Sequence, residues 1–231
     1  MVADTGIFTQ KSEINVLQLS GEFIACIAAI LFFTSLSISC RILAIHAITA
    51  FLVELTGFIL RKHGYTDNQW LFNIFLLFDC GLQLLAAYYF RVKIPYLFFI
   101  TGFLVFVAVW LYEVINTGVM IFTVKAYIVD SILLMGTYLV VLYYSTINYR
   151  GSLTRSPSLW ICLSIILYYG CNIPFFSVLN YLVDNKAKDV IKFLFVVLQV
   201  LINVRYLFIA IGFYLYFYSR KAVKPGYDVV K

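Results

Sequence analysis

Seven long apolar runs dominate this chain and limit what it can fold into. They lie at approximately 22–39, 42–60, 70–90, 94–112, 126–148, 158–182 and 190–219. A helix needs about 20 apolar residues to cross the roughly 30 Å hydrocarbon core of a bilayer. The runs are continuous and do not alternate every second residue, which favours helices over barrel strands. The sequence therefore predicts an all-α, polytopic membrane bundle of seven transmembrane helices, with residues 1–231 forming a single domain.

Composition agrees with lipid as the solvent. Hydrophobic residues make up 63% of the chain and charged residues 12%, against about 25% charged in soluble domains. The formal charge of +6 comes with no basic stripe interleaved with exposed aromatic residues, so no nucleic-acid partner is expected. The loops are too short for a soluble domain. The expected partners are the bilayer and a cytoplasmic or membrane signalling protein, and the sequence does not fix an oligomeric state.

Orientation follows from the positive-inside rule. Seven crossings place the termini on opposite sides, with nine Lys or Arg residues on the C-terminal side against seven on the N-terminal side. Seven acidic residues fall on the N-terminal side: Asp4, Glu13, Glu22, Asp67, Glu113, Asp184 and Asp189. The N-terminus is therefore predicted outside and the C-terminus in the cytoplasm of a bacterial inner membrane. No cleavable signal peptide is expected.

Four charged residues lie well inside the predicted spans, away from their ends. Ionisable groups are costly in a bilayer and usually face the protein interior. At 1.5 Å per residue, Asp79 and Arg205 lie near the midplane, Glu54 roughly 5 Å outward and Asp130 roughly 10 Å outward. All four thus fall between the midplane and the outer face. Arg205 remains charged, so we expect a carboxylate partner, Asp79 before Glu54.

Uncharged polar residues extend this cluster. Gln199 and Asn203 share one face of the seventh span, Gln83 shares a face with Asp79, and Asn73 lies one and a half turns before Asp79. Three roles remain open for the cluster: an ion pair that only fixes helix packing, a ligand or ion site, or a proton relay. In the sixth span Pro174 removes a backbone donor, which predicts a bend near Gly170.

Nothing in the sequence indicates catalysis. Nucleophile, phosphate-loop and dinucleotide signatures are missing. Two histidines, His46 and His63, are too few for a haem or zinc site, and the five cysteines show no CxxC spacing. We therefore expect no enzyme, no cofactor and no metal.

Three segments carry a resemblance to known proteins. They are Leu71–Phe75 followed by Asp79, Tyr168-Tyr169-Gly170, and Asn203–Phe208. In these the chain resembles a loose group of small uncharacterised bacterial seven-helix inner-membrane proteins, in which Glu often stands at the position of Asp79. The resemblance implies a bacterial inner-membrane setting and a role in sensing. Retinal proteins are excluded, because the middle of the seventh span has no lysine.

The favoured function is an integral membrane sensory or ligand-binding module with its polar cluster in the outer half. A small-solute or proton-coupled transporter or channel is the first alternative. A structural subunit of a membrane complex is the second.

Overall fold

The computed structural model describes residues 13–65, 68–90, 94–147 and 152–222. Within these ranges the chain forms seven α-helices and no strand, so the all-helical prediction is confirmed. The helices are α1 Glu13–Phe32, α2 Ile38–Lys62, α3 Gln69–Tyr89, α4 Tyr96–Thr117, α5 Val124–Ile147, α6 Pro157–Asp184 and α7 Lys188–Ala222. Single 3-10 turns occupy Phe33–Ser35 and Leu153–Arg155.

Six of the seven helices, α2 to α7, are long and apolar enough to cross a membrane. The apolar stretch at α1, Leu19–Ser35, is shorter. These helices indicate a multi-pass integral membrane protein. At 1.5 Å per residue, the 35 residues of α7 extend about 52 Å, well beyond the hydrocarbon thickness.

Helix ends carry the expected local chemistry. The Ser37 hydroxyl accepts a hydrogen bond from the Cys40 amide and caps α2 at 3.4 Å. The φ angle of Gly118 is +88°, a conformation open to glycine, and its amide reaches the Val114 carbonyl to end α4. The Glu113 carboxylate accepts hydrogen bonds from the Lys125 and Ala126 amides at 3.1 and 2.7 Å, which caps α5 from the neighbouring helix.

The junction of the first two helices differs from the prediction. The sequence placed the first span at 22–39 and its junction with the next at Ser39–Arg41. Instead, α1 begins at Glu13 and the chain breaks at Phe33–Ser37, so Ser39 belongs to α2. The run Thr34-Ser35-Leu36-Ser37 supplies the break, because a serine side chain can cap a new helix.

Helix packing forms a closed ring with one helix outside it. Around the ring α1 packs on α2, α2 on α3, α3 on α5, α5 on α6, α6 on α7, and α7 back on α1. Helix α4 packs against α3 and α5 from outside and buries only Phe99, Phe106 and Glu113. Any site enclosed by the bundle is therefore built by the other six helices.

The two ends of the bundle are named here by a residue at each. The Lys62 end holds the C-termini of α2, α4 and α6 and the N-termini of α3, α5 and α7. The Ser37 end is the opposite one. Helix α6 continues through Pro174 from Pro157 to Asp184, and the bend near Gly170 stays a prediction.

Candidate functional site

Asp79, near the middle of α3, is the centre of a buried polar network. Its Oδ1 accepts a hydrogen bond from Nε2 of His46 on α2 at 2.5 Å and from Nε2 of Gln83 at 2.8 Å. Its Oδ2 accepts one from the Tyr169 hydroxyl of α6 at 2.5 Å. Nη2 of Arg205 on α7 lies 3.6 Å from Oδ1. One carboxylate thus ties together four helices of the ring.

Tyr169 provides the second bridge of this network. Its hydroxyl donates to Asp79 and accepts hydrogen bonds from Gln83 Nε2 at 2.6 Å and from Arg205 Nη2 at 3.3 Å. The side chain has no exposed surface. The Tyr138 hydroxyl of α5 donates to the Gln83 carbonyl at 3.1 Å, so α5 joins the network through the backbone of α3.

The Arg205 guanidinium is enclosed by aromatic rings. Its Cζ lies 4.4 Å from the centre of the Tyr168 ring, 5.0 Å from that of Tyr169 and 5.4 Å from that of Tyr206. Cation–π contacts and the Asp79 carboxylate together stabilise a charge that lipid alone would not accept. Arg205 has five N–H donors, yet among the described residues only Nη2 makes a hydrogen bond. The guanidinium therefore has donors to spare.

A cavity of about 260 Å³ extends from this network toward the Lys62 end. At about 30 Å³ per water, it offers roughly the liquid volume of nine waters. Eight aromatic side chains line it: Phe72, Phe75, Phe122, Tyr127, Tyr168, Phe176, Phe195 and Tyr206. The ionisable lining residues are three acids, Glu22, Glu54 and Asp79, and one base, Arg205. When ionised, the lining carries a net charge of −2.

Two further predicted residues lie close to the site. Gln199 lines the cavity together with Glu54. Asp130 is fully buried on α5, beside Cys80 of α3.

The remaining polar residues of the predicted cluster make their hydrogen bonds elsewhere. The Asn203 Oδ1 accepts from the Gly21 amide at 3.0 Å and its Nδ2 donates to the Gln199 carbonyl, so it fastens α7 to α1. Asn73 donates to the Val119 and Ile121 carbonyls at 2.7 Å each and fixes the chain between α4 and α5. Both side chains serve packing in this structure.

Sequence reasoning left several residues of the site out. His46 was not placed in the predicted cluster, yet it is the Asp79 partner on α2. Tyr169 appeared only within a resemblance. Glu22 was counted as a loop-side acid, although it is 3% exposed and lines the cavity. The signal for His46 was its polar side chain inside an apolar run, the same signal that selected Asp79.

A second cavity, of about 710 Å³, lies at the Ser37 end. Its lining includes Tyr89, the last residue of α3, and Phe90, the next residue. At 1.5 Å per residue, Tyr89 lies about 15 Å along α3 from Asp79.

Metal binding finds no support in the described residues, which contain no group of three or more His, Cys, Asp or Glu side chains able to hold an ion. The described cysteines are free thiols, four buried and one, Cys171, exposed.

Comparison with protein-family models, curated proteins and solved structures finds no match for this chain.

Proposed function

We propose that this protein is a membrane ligand-binding module whose ligand is a small organic cation, an amine with an apolar body. The observation that carries the proposal is the 260 Å³ cavity, which combines aromatic walls with a net acidic lining and ends on the Asp79–Arg205 network. Aromatic faces attract desolvated cations, most strongly where water is excluded. Pockets with apolar walls and a few converging polar groups are the usual form of small-molecule sites.

The position of the cavity supports a sensory role. A ligand that reaches Asp79 or Arg205 alters contacts made by α2, α3, α6 and α7 together. A ligand shifts an equilibrium between two packings by its difference in affinity for them. Repacking of these four helices would be transmitted to a membrane or cytoplasmic partner, because the loops between the helices are short. The setting proposed for this module is a bacterial inner membrane, with the cavity toward the outer face.

Three probes of nearly equal shape test the ligand class. Phenethylamine, 2-phenylethanol and phenylacetate carry a cationic, a neutral and an anionic head on similar phenylalkyl bodies. Thermal unfolding of the purified chain in uncharged detergent is measured with each probe. We expect the amine to raise the melting temperature at the lowest concentration and phenylacetate to have the least effect. A larger effect of phenylacetate would contradict a cation site.

Variants locate the binding. Glu22→Gln and Glu54→Gln each remove one acid from the lining and are expected to weaken the effect of the amine. Asp189→Asn is the matched control, because Asp189 is an exposed acid in the first turn of α7 and does not line the cavity. Equal losses in all three variants would mean that general surface charge, and not the cavity, attracts the amine.

Transport is the second candidate function. It is favoured by the presence of two cavities, one reaching the Asp79 network from the Lys62 end and one at the Ser37 end. Counterflow of labelled phenethylamine into proteoliposomes separates the two roles. A receptor binds the amine without net movement, whereas a transporter accumulates it inside preloaded vesicles.

A further inference from the structure

The cavity at the Ser37 end is rich in hydroxyl groups. Six serines line it. Four lie within helices, namely Ser39 of α2, Ser145 of α5, Ser158 of α6 and Ser219 of α7, and the other two, Ser37 and Ser156, directly precede α2 and α6. No Asp or Glu belongs to its lining in the part of the chain that the structure describes. Its chemistry therefore differs from that of the aromatic, acidic cavity at the other end.

Two helix N-termini meet at this cavity. Helix α2 begins at Ile38 and α6 at Pro157, and residues at both starts line it. The first backbone N–H groups of a helix have no partner within the helix, and the helix dipole adds partial positive charge there. The amides of Ile38, Ser39 and Ser158 are of this kind. Such groups bind anions, phosphate above all.

Two buried side chains bring hydroxyl groups to this cavity. Ser39 and Ser156 are 4% and 3% exposed and both line the cavity. Neither hydroxyl hydrogen-bonds to another described residue, so both are available as donors within the cavity. A ligand with several acceptor oxygens would accept hydrogen bonds from both hydroxyls at once.

Basic residues surround the same segments along the chain. Arg41 follows Cys40, and Arg155 precedes Ser156. Arg91 and Lys93 come just after Phe90, and Arg220 and Lys221 follow Ser219. The described lining itself holds neither an acid nor a base, so its donors are hydroxyl groups and backbone amides.

We propose that the cavity at the Ser37 end binds a phosphate group, belonging either to free phosphate or to the headgroup of an anionic phospholipid. The hydroxyls of Ser39 and Ser156 donate to the phosphate oxygens, and the amides of the two helix starts contribute further donors. This site is independent of the amine site at the other end.

The test measures binding to the full chain in two arms. In uncharged detergent, melting temperature is followed against inorganic phosphate, with chloride at equal ionic strength as the reference. In the lipid arm, native mass spectrometry counts phosphatidylglycerol or phosphatidylcholine molecules retained from mixed vesicles. A phosphate-specific rise supports free phosphate, and selective retention of phosphatidylglycerol supports the lipid headgroup. No preference in either arm overturns the proposal.

Variants that introduce a negative charge locate the site. Ser39→Asp and Ser156→Asp place a carboxylate among the proposed donors, and acids near helix N-termini favour the helix itself. We expect phosphate or phosphatidylglycerol binding to weaken at least about tenfold, about 1.4 kcal/mol, while the protein stays folded. Ser152→Asp is the control, since Ser152 is exposed at the same end and does not line the cavity. An equal loss in Ser152→Asp, or unchanged binding in both cavity variants, contradicts the assignment. The phenethylamine response, measured in every variant, reports the integrity of the other cavity.

Discussion

Single side chains decide how the centre of this bundle holds together. Asp79 accepts from His46, Gln83 and Tyr169 and faces Arg205 at 3.6 Å. In a low-dielectric interior, removing one partner of an ion pair lowers the free energy of unfolding by more than the intact pair contributes to it. The reason is that the remaining charge is left uncompensated. The network therefore makes its members depend on one another.

This dependence is measurable in a double-mutant cycle. Asp79→Leu and Arg205→Met should each destabilise the protein by about 3 kcal/mol, since each leaves a buried charge without its counter-charge. The double variant should recover part of the loss, so the two effects are not additive. Unfolding in detergent provides the measurement, and Lys192→Met, an exposed cation on α7, is the control. Fully additive losses would mean that Asp79 and Arg205 are energetically independent.

The Tyr169→Phe variant measures how much the Tyr169 hydroxyl alone contributes to stability. It removes the group that joins Asp79, Gln83 and Arg205 while preserving the ring beside the guanidinium. Unsatisfied buried partners cost about 1–3 kcal/mol, and we expect a loss of that size in thermal or denaturant unfolding. Tyr181→Phe, on an exposed tyrosine of the same helix, should change stability by less than about 0.5 kcal/mol. Similar losses for the two tyrosines would refute the bridging role.

Which site residues the sequence could predict depends on the free-energy cost of burying each side chain in a bilayer. A charge inside an apolar run is expensive, so Asp79 and Arg205 were recognisable, and counting residues matched their depths. The pairing of Asp79 with His46 and Tyr169 was not predictable, because spacing along one helix does not tell which face its neighbours meet. Asn203 shows the same limit: it was grouped with the site, but its side chain packs against Gly21 of α1.

At the scale of helices, close approach depends on small residues. A Cβ added at Gly212 of α7 would come within 2.6 Å of Ile161 Cγ1 and 3.3 Å of the Pro157 carbonyl oxygen, both on α6. A Cβ added at Gly136 of α5 meets nothing within 4 Å. The two glycines therefore have opposite roles, although both lie inside helices.

Alanine at these two positions gives a matched pair. Gly212→Ala should destabilise by about 1–3 kcal/mol, because α6 and α7 must move apart or repack. Gly136→Ala should be neutral or stabilise by about 0.5–1 kcal/mol, because alanine favours the helix. Unfolding of both variants in the same detergent compares them. A Gly212→Ala protein as stable as Gly136→Ala would contradict close packing of α6 on α7.

Helix positions were predictable and helix neighbours were not. Apolar run lengths predicted α2 to α7 to within a few residues at most ends, since the bilayer sets that length. The break at Phe33–Ser37 was missed because it lies inside an otherwise apolar run. The sequence held one signal for the peripheral position of α4, which is the absence of any charged residue from Tyr96 to Tyr112.

At the scale of the whole molecule, the seven crossings predicted from the sequence would put the two termini in different compartments. Reporter domains fused at the C-terminus and inserted after Tyr65 should report opposite sides, with the C-terminal reporter in the cytoplasm. The insertion point lies just beyond α2, where the chain is exposed. A third reporter inserted at Gly118, between α4 and α5, should agree with the one after Tyr65. Activity of all three reporters in one compartment would overturn the topology.

The pairing of α3 with α7 also has a consequence for biosynthesis. Asp79 and Arg205 are 126 residues apart in the chain, which at about 5–20 residues per second is roughly 6–25 s of translation. Throughout that interval α2 can already supply His46, but the counter-charge has not been made. A nascent or truncated chain that stops before α7 thus lacks the Arg205 counter-charge, and Asp79 then has only the hydrogen-bond donors of earlier helices.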